Sequence, residues 1–295
     1  MKNQQQNIPL IDWNRTRHLI DLALEEDLDV RGDTTTIAVV PEQTQVRAVL
    51  LCKEPDMVCA GLEVAAMVFA SVDPEIVFTP LVKDGAVCQK GDLMAEITGS
   101  ARGILTAERT ALNFLQRLCG VATASRKYAR ELEGFKTVVL DTRKTTPGYR
   151  NLEKYAVAVG GASNHRIGLF DRIMIKDNHR ELAALEGPGA VTRAVERARQ
   201  AYPDLEIEVE ADCLDEVAEA AAAGADYILL DNMSDEEMAQ AVKITAGRSK
   251  LEASGGITLE RLKRIGATGV DFVSSGALTH SVKSADISLD IEVKK

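Results

Sequence analysis

The chain has 295 residues, 45% of them hydrophobic and 27% charged, which fits one large α/β unit or two smaller domains around a substantial core. Its net charge of −10 counts against a sequence-independent grip on nucleic acid, which needs a basic surface. No stretch reaches the roughly 18 apolar residues of a membrane span, and five cysteines without a CxxC pair suit neither structural zinc nor a disulfide framework, so reduced thiols in a cytoplasmic protein are expected.

The start, MKNQQQNIPL, lacks the apolar run of a secretory leader. In DWNRTRHLIDLALEEDL (12–28), Leu19, Ile20, Leu22, Ala23 and Leu24 lie near helical spacing, which predicts a helix packed on one face. RGDTTT (31–36) reads as a turn, and QVRAVLLCK (45–53) as a strand. AGLEVAAMVFASV (60–72) reads as a helix, with Leu62, Ala65, Ala66 and Phe69 on one face. The stretch 76–100 reads as short strands with turns at Asp84-Gly85 and Lys90-Gly91-Asp92. Residues 101–133 read as one long helix with a stripe of Leu105, Leu112, Leu115 and Leu118. Arg109 and Arg117 project from its other faces, and composition alone makes each a solvated helix arginine.

One pattern then recurs: an apolar strand, a polar cluster, a helix. The strands are TVVLDTRK, DRIMIKDN, EIEVEAD, DYILLDN, KLEASGG and DFVSSGA. DEVAEAAAAGA, SDEEMAQAVKITAG and TLERLKRIGAT are amphipathic, with Asp215, Ser234 and Thr258 as expected caps. Successive βα units favour a barrel of the (β/α)8 type, incomplete or not, over a doubly wound sheet. No GxGxxG follows a strand, which counts against a dinucleotide-binding fold. The last segment, DISLDIEVKK, alternates like a strand that returns to the N-terminal region. The expected division is an α+β domain over 1–118, joined by a strand from 283–295, and a barrel domain over 119–282.

The strand ends carry Arg143, Lys144, Lys176, Glu210, Asp231, Ser254-Gly255-Gly256 and Ser275-Gly276-Ala277. In a barrel these converge on the rim where active sites lie. Arginines grip carboxylates bidentately, and Gly-containing turns let backbone N–H groups approach a phosphate. Glu210 and Asp231 suit sugar hydroxyls or Mg²⁺, a hard ion that favours oxygen ligands. His165 stands beside Arg166 in the basic cluster, whereas His18, His179 and His280 read as structural. A cationic pocket in an acidic chain points to a strongly anionic ligand.

Long ordered motifs carry a resemblance over nearly the whole chain: LEEDLDVRGDTTT, ERTALNFLQRLCGVAT, DTRKTTPGYR, NHRIGLFDRIMIKDNH, EVEAD, ILLDN, ASGGI and GVDFVSSGALTHS. The chain resembles the quinolinate phosphoribosyltransferases. The resemblance implies an α/β open-sandwich domain joined to an incomplete (β/α) barrel of the type II phosphoribosyltransferase kind. It implies a Mg²⁺-assisted reaction of NAD biosynthesis, in which quinolinate and phosphoribosyl pyrophosphate give nicotinate mononucleotide, pyrophosphate and CO2. It further implies a homodimer whose Arg109 reaches the partner's site. By motif, Arg143, His165 and Arg166 hold the quinolinate carboxylates, with Thr142 beside them. Lys144 and Lys176 line the substrate and pyrophosphate region, and Glu210 and Asp231 contact ribose and metal. Ser254, Gly255, Gly256, Ser275, Gly276 and Ala277 cradle phosphate. The rival readings are a phosphoribosyltransferase for nicotinate or another small ring, a molybdenum-associated paralogue of the same fold and a silent ligand sensor. Three arginines suit two carboxylates better than the single one of nicotinate.

Overall fold

Two aspartates start the first helices of the computed structural model, which describes residues 8–292. The first seven residues, where no secretory leader is expected, and the last three of the expected C-terminal strand lie outside the described residues. Asp12 accepts the Arg15 N–H at 3.1 Å and opens α1 (Trp13–Leu28). Asp33 accepts the Thr36 N–H at 2.9 Å, so the stretch expected as a turn becomes a helix, α2 (Thr34–Val39). A side chain that satisfies a first-turn N–H starts a helix even in β-branched threonines.

Next come β1 (Gln45–Cys52), β2 (Met57–Val58), α3 (Leu62–Val72), β3 (Val77–Pro80), β4 (Val87–Cys88) and β5 (Leu93–Ser100). The turns at Gly85 and Gly91 both use positive φ. α4 (Ala101–Glu131) buries Leu112, Leu115 and Leu118 of its stripe and leaves Leu105 half-buried. After β6 (Val138–Leu140) and α5 (Arg150–Gly160) the βα alternation sets in. It runs through β7 (Ile173–Ile175), α6 (Asp177–Ala184), α7 (Ala190–Ala201), β8 (Ile207–Ala211), α8 (Leu214–Ala222), β9 (Tyr227–Asp231) and α9 (Asp235–Thr245). β10 (Lys250–Ser254), α10 (Leu262–Thr268), β11 (Phe272–Ser274), α11 (Ala277–His280) and β12 (Ile287–Glu292) complete the chain. Ser234 caps α9 in a reciprocal box with Glu237, and Thr258 precedes a 3₁₀ turn. Asp215 lies inside the first turn of α8, whose cap position is Cys213; its charge there still favours the helix dipole.

The chain divides into two compact units. The first holds the chain up to Arg126, then Thr146–Gly161, then everything from Leu278 on. Its main sheet is antiparallel in the order β12-β1-β5-β3, with β12 paired to β1 from Arg47↔Glu292 to Cys52↔Ile287. These units cut the chain differently from the expected 1–118 and 119–282, because α5 packs on α4. A Cβ at Gly160 would lie 2.3 Å from the Ala122 carbonyl oxygen, so only glycine permits that approach. Arg126 donates to the Gly160 carbonyl at 2.9 Å, and Arg117 donates through Nε to the fully buried Glu153 at 3.1 Å.

The second unit, Lys127–Thr145 with Ala162–Ala277, carries a parallel sheet in the order β6-β11-β10-β9-β8-β7. Edge strands β6 and β7 are not paired with each other; a single parallel bridge, Leu140↔Ser163, stands beside β6. This is an α/β barrel left open, since the chain after β6 makes α5 and only one bridge before β7. Ile207, Val209, Ile228, Leu230, Leu251 and Ala253 are buried on one strand parity, where α7, α8 and α9 pack. The opposite parity carries polar side chains, and these build the site.

Candidate active site

The inward positions of the parallel strands meet at their C-terminal ends. Met174, Lys176, Glu210, Leu229, Asp231, Glu252, Ser254 and Ser274 line a cavity of about 290 Å³ together with Thr142, Arg143, Lys144, His165 and Arg166. Nine residues singled out from the sequence thus share one wall: Thr142, Arg143, Lys144, His165, Arg166, Lys176, Glu210, Asp231 and Ser254. Gly255, Gly256, Ser275, Gly276 and Ala277 follow β10 and β11 without lining this cavity. Arg109 is exposed on α4 in the first unit.

The cations are held by local turns. Lys144 N–H donates to Thr142 Oγ1 at 3.1 Å, and Thr145 N–H to the Arg143 carbonyl at 3.0 Å. Arg143 Nε is buried and has no hydrogen-bond partner among the described residues. Burial, and then the neighbouring Arg143, hold the Arg166 guanidinium below its ordinary pKa. Two guanidiniums that repel each other, one with an unsatisfied donor, are a preformed place for an anion.

On the acidic side Lys176 Nζ lies 3.7 Å from Glu210 Oε2. Burial raises the Glu210 pKa, Lys176 works against it, and the Asp231 carboxylate adds to the rise. Glu210, Asp212 and Asp231 each offer an oxygen, all within 4.8 Å of one another. This all-oxygen set has the donor chemistry Mg²⁺ favours. Asp212, not among the site residues expected from the sequence, also accepts from Arg180 at 2.7 Å. Beyond β10, Gly255 has φ +84°, and a Cβ there would lie 2.1 Å from Asn232 Oδ1. The Ser254 carbonyl accepts Asn232 N–H at 2.9 Å, so the turn closes against the neighbouring strand end only with glycine at 255.

A buried polar centre forms part of the cavity's floor. Asp141 accepts the His165 N–H and the Asn164 side-chain amide, both at 2.8 Å. The His165 imidazole meets Glu208 and Glu252, both fully buried. Burial disfavours charge on this ring, but the two glutamates beside it outweigh burial and raise its pKa. Burial pushes Glu208 up, yet His165 and Arg172 bring it below the ordinary carboxylate value; burial and Glu208 push Glu252 above it. Glu208, Glu252 and Arg172 were missed in the sequence. A signal was present, since each glutamate stands two residues before an inward strand-end residue, Glu210 or Ser254, and so shares its face.

Two family models match the chain: "Quinolinate phosphoribosyl transferase, N-terminal domain" over residues 33–119 and "Quinolinate phosphoribosyl transferase, C-terminal domain" over 121–290. The chain belongs to the quinolinate phosphoribosyltransferase family. A Bacillus subtilis protein named probable nicotinate-nucleotide pyrophosphorylase [carboxylating] is 44% identical, over 88% of each chain. The Arabidopsis thaliana nicotinate-nucleotide pyrophosphorylase [carboxylating], named chloroplastic, is 41% identical over 94% of this chain and 82% of its own. Among solved structures, NadC from Streptococcus pyogenes superposes with a TM-score of 0.89 at 44% identity, covering 96% of this chain and 97% of that one. The nicotinate-nucleotide pyrophosphorylase of Francisella tularensis gives 0.90 at 38% identity, with 97% and 99% coverage. Human nicotinic acid phosphoribosyltransferase, at 13% identity and a TM-score of 0.63, over 96% of this chain and 74% of its own, shares the fold alone. The chain is therefore a phosphoribosyltransferase of this family, and no described helix is long and apolar enough to cross a membrane.

Proposed function

We propose that the cavity joins quinolinate to phosphoribosyl pyrophosphate, forming nicotinate mononucleotide, pyrophosphate and CO2 in NAD biosynthesis. Membership of the family over both domains supports the reaction. The observation that carries the site reading is the buried, unsatisfied Arg143 Nε beside Arg166. The two guanidiniums take the carboxylates of the ring, with Thr142 beside them. Lys144 and Lys176 attract the pyrophosphate. Ser254, Gly255, Gly256, Ser275, Gly276 and Ala277 supply backbone donors for the 5′-phosphate.

Loss of pyrophosphate leaves positive charge on the ribose C1, which Glu210 and Asp231 stabilise. The pyridine nitrogen then bonds to C1 and becomes cationic. That charge draws the electron pair left at the ring carbon when the adjacent carboxylate departs as CO2, and this carbon takes up a proton. No strong general base is required; positioning and charge supply most of the rate. Glu210 and Asp231, with Asp212 as a third oxygen, would hold Mg²⁺, which when bound neutralises charge on the leaving pyrophosphate. The reading includes a homodimer in which Arg109, exposed on α4, completes the site of the other subunit. It also includes the cytoplasm as location, which the free cysteines, four buried and Cys213 exposed, suit.

The test is nicotinate mononucleotide formation from phosphoribosyl pyrophosphate and Mg²⁺, with quinolinate and nicotinate run in parallel. Product and CO2 from quinolinate alone are expected; turnover of nicotinate alone would move the protein to the rival activity, and turnover of neither would sink the reading. Gly255→Ala is expected to raise the KM for phosphoribosyl pyrophosphate about tenfold, or ~1.4 kcal/mol. The added methyl collides with Asn232 and displaces the turn. An unchanged KM would remove this turn from the phosphate site.

A further inference from the structure

Both ring nitrogens of His165 are engaged inside the protein. Nδ1 accepts the Arg166 backbone N–H at 2.7 Å. Nε2 lies 3.2 Å from Glu208 Oε2 and 3.3 Å from Glu252 Oε2. In the neutral ring a nitrogen that accepts a backbone N–H carries no proton, so the one ring proton sits on Nε2, facing the two carboxylates. The same geometry argues against a metal ion at this cluster, because a ring ligating through Nε2 carries its proton on Nδ1.

Glu208 has a second partner. Arg172 Nη1 lies 3.5 Å from Glu208 Oε2, and its guanidinium stacks over the Tyr227 ring at 4.0 Å. The Arg172 carbonyl in turn accepts Arg166 Nη1 at 2.8 Å. Arg166 is thus held at its backbone through His165 and at its guanidinium through Arg172, and Glu208 touches both supports. Two buried carboxylate oxygens within 3.3 Å of one ring nitrogen favour a single setting of the imidazole, since rotation away from either loses a close charge contact in a dry interior. The planar fork of Arg166 needs that constancy, because bidentate recognition is lost with a displacement of about 1 Å.

We propose that Glu208 and Glu252 are positioning residues for Arg166, and that His165 transmits their hold instead of binding a substrate carboxylate itself. The inference rests on the quinolinate reading of the cavity and deepens it: discrimination for a dicarboxylate is set by side chains at the cavity floor that hold Arg166.

The test compares the full-length wild type with Glu208→Gln, Glu252→Gln, His165→Asn and His165→Gln, by quinolinate calorimetry and by steady-state kinetics with each substrate varied. All four variants are expected to raise the quinolinate Kd and KM about tenfold or more, while the KM for phosphoribosyl pyrophosphate stays within about twofold. That split is one that general loosening of the fold does not produce. The histidine pair covers the case in which a glutamate variant fails to fold. Gln keeps a donor near the Nε2 position but places no acceptor at the Nδ1 position that Arg166 N–H uses, so retained quinolinate affinity in His165→Gln would restore the direct-ligand role and overturn the proposal. Quinolinate affinity unchanged in the glutamate variants, or both KM values rising together, would overturn it too. Wild type that binds no quinolinate would instead bring down the functional reading on which the inference stands.

Discussion

Arg143→Ala is expected to abolish quinolinate turnover and leave the fold intact. A charge-assisted, bidentate contact to a carboxylate in a partly dry cavity is worth several kcal/mol once its partner is left buried and unpaired. The drop in kcat/KM is therefore about 10³-fold or more. Stability should not suffer, because Arg143 Nε has no partner among the described residues to lose and its charge opposes that of Arg166. Kinetics and a thermal melt on the same preparation check both halves. An unaltered rate would remove Arg143 from the carboxylate site. Arg143→Lys should recover only part of the loss, since an ammonium cannot present the planar fork.

Asp231→Asn is the second large effect. Asn keeps the shape and removes one of the two or three negative charges that face the developing positive charge at C1 and would hold Mg²⁺. A fall of about 10²- to 10³-fold in kcat is expected, the size seen when one preorganised electrostatic group is lost. The Mg²⁺ concentration for half-maximal rate should rise in parallel, and calorimetry with Mg²⁺ and pyrophosphate should show weaker binding. Glu210→Gln should act in the same direction. Chelation of divalent cations should silence the wild type, and a wild-type rate indifferent to chelator would sink the metal assignment for both carboxylates. Lys176 is half-exposed where it meets Glu210 at 3.7 Å, so solvent screens the pair and its loss in Glu210→Gln should cost little stability.

Sequence alone determined much of this protein's character. Period-2 alternation and short apolar runs marked the six strands of the parallel sheet, and polar residues at their ends named the cavity's cations and carboxylates. These features are local: parity along a strand decides which side chains share a face, and the chemistry of a residue travels with it. The long ordered motifs reached the family for the same reason, being contiguous stretches that need no knowledge of contacts. At 31–36 the local signal is ambiguous, since Asp33 fits a turn as well as the helix cap it forms in the structure.

The tertiary structure decided the rest, because it depends on which strand stands beside which and at what register. Nothing in EIEVEAD or KLEASGG says that Glu208 and Glu252 meet at one imidazole nitrogen; β8 and β10 flank β9, and His165 arrives after the lone bridge at Ser163. Nor could spacing say that α5 packs with α4, a matter settled by a glycine that lets two backbones touch. Asp212 joins Glu210 and Asp231 only because neighbouring parallel strands end at one level. Burying two carboxylates carries a large desolvation cost. The fold meets it with an imidazole and a guanidinium drawn from elsewhere in the chain, and that pairing exists only once the barrel has formed.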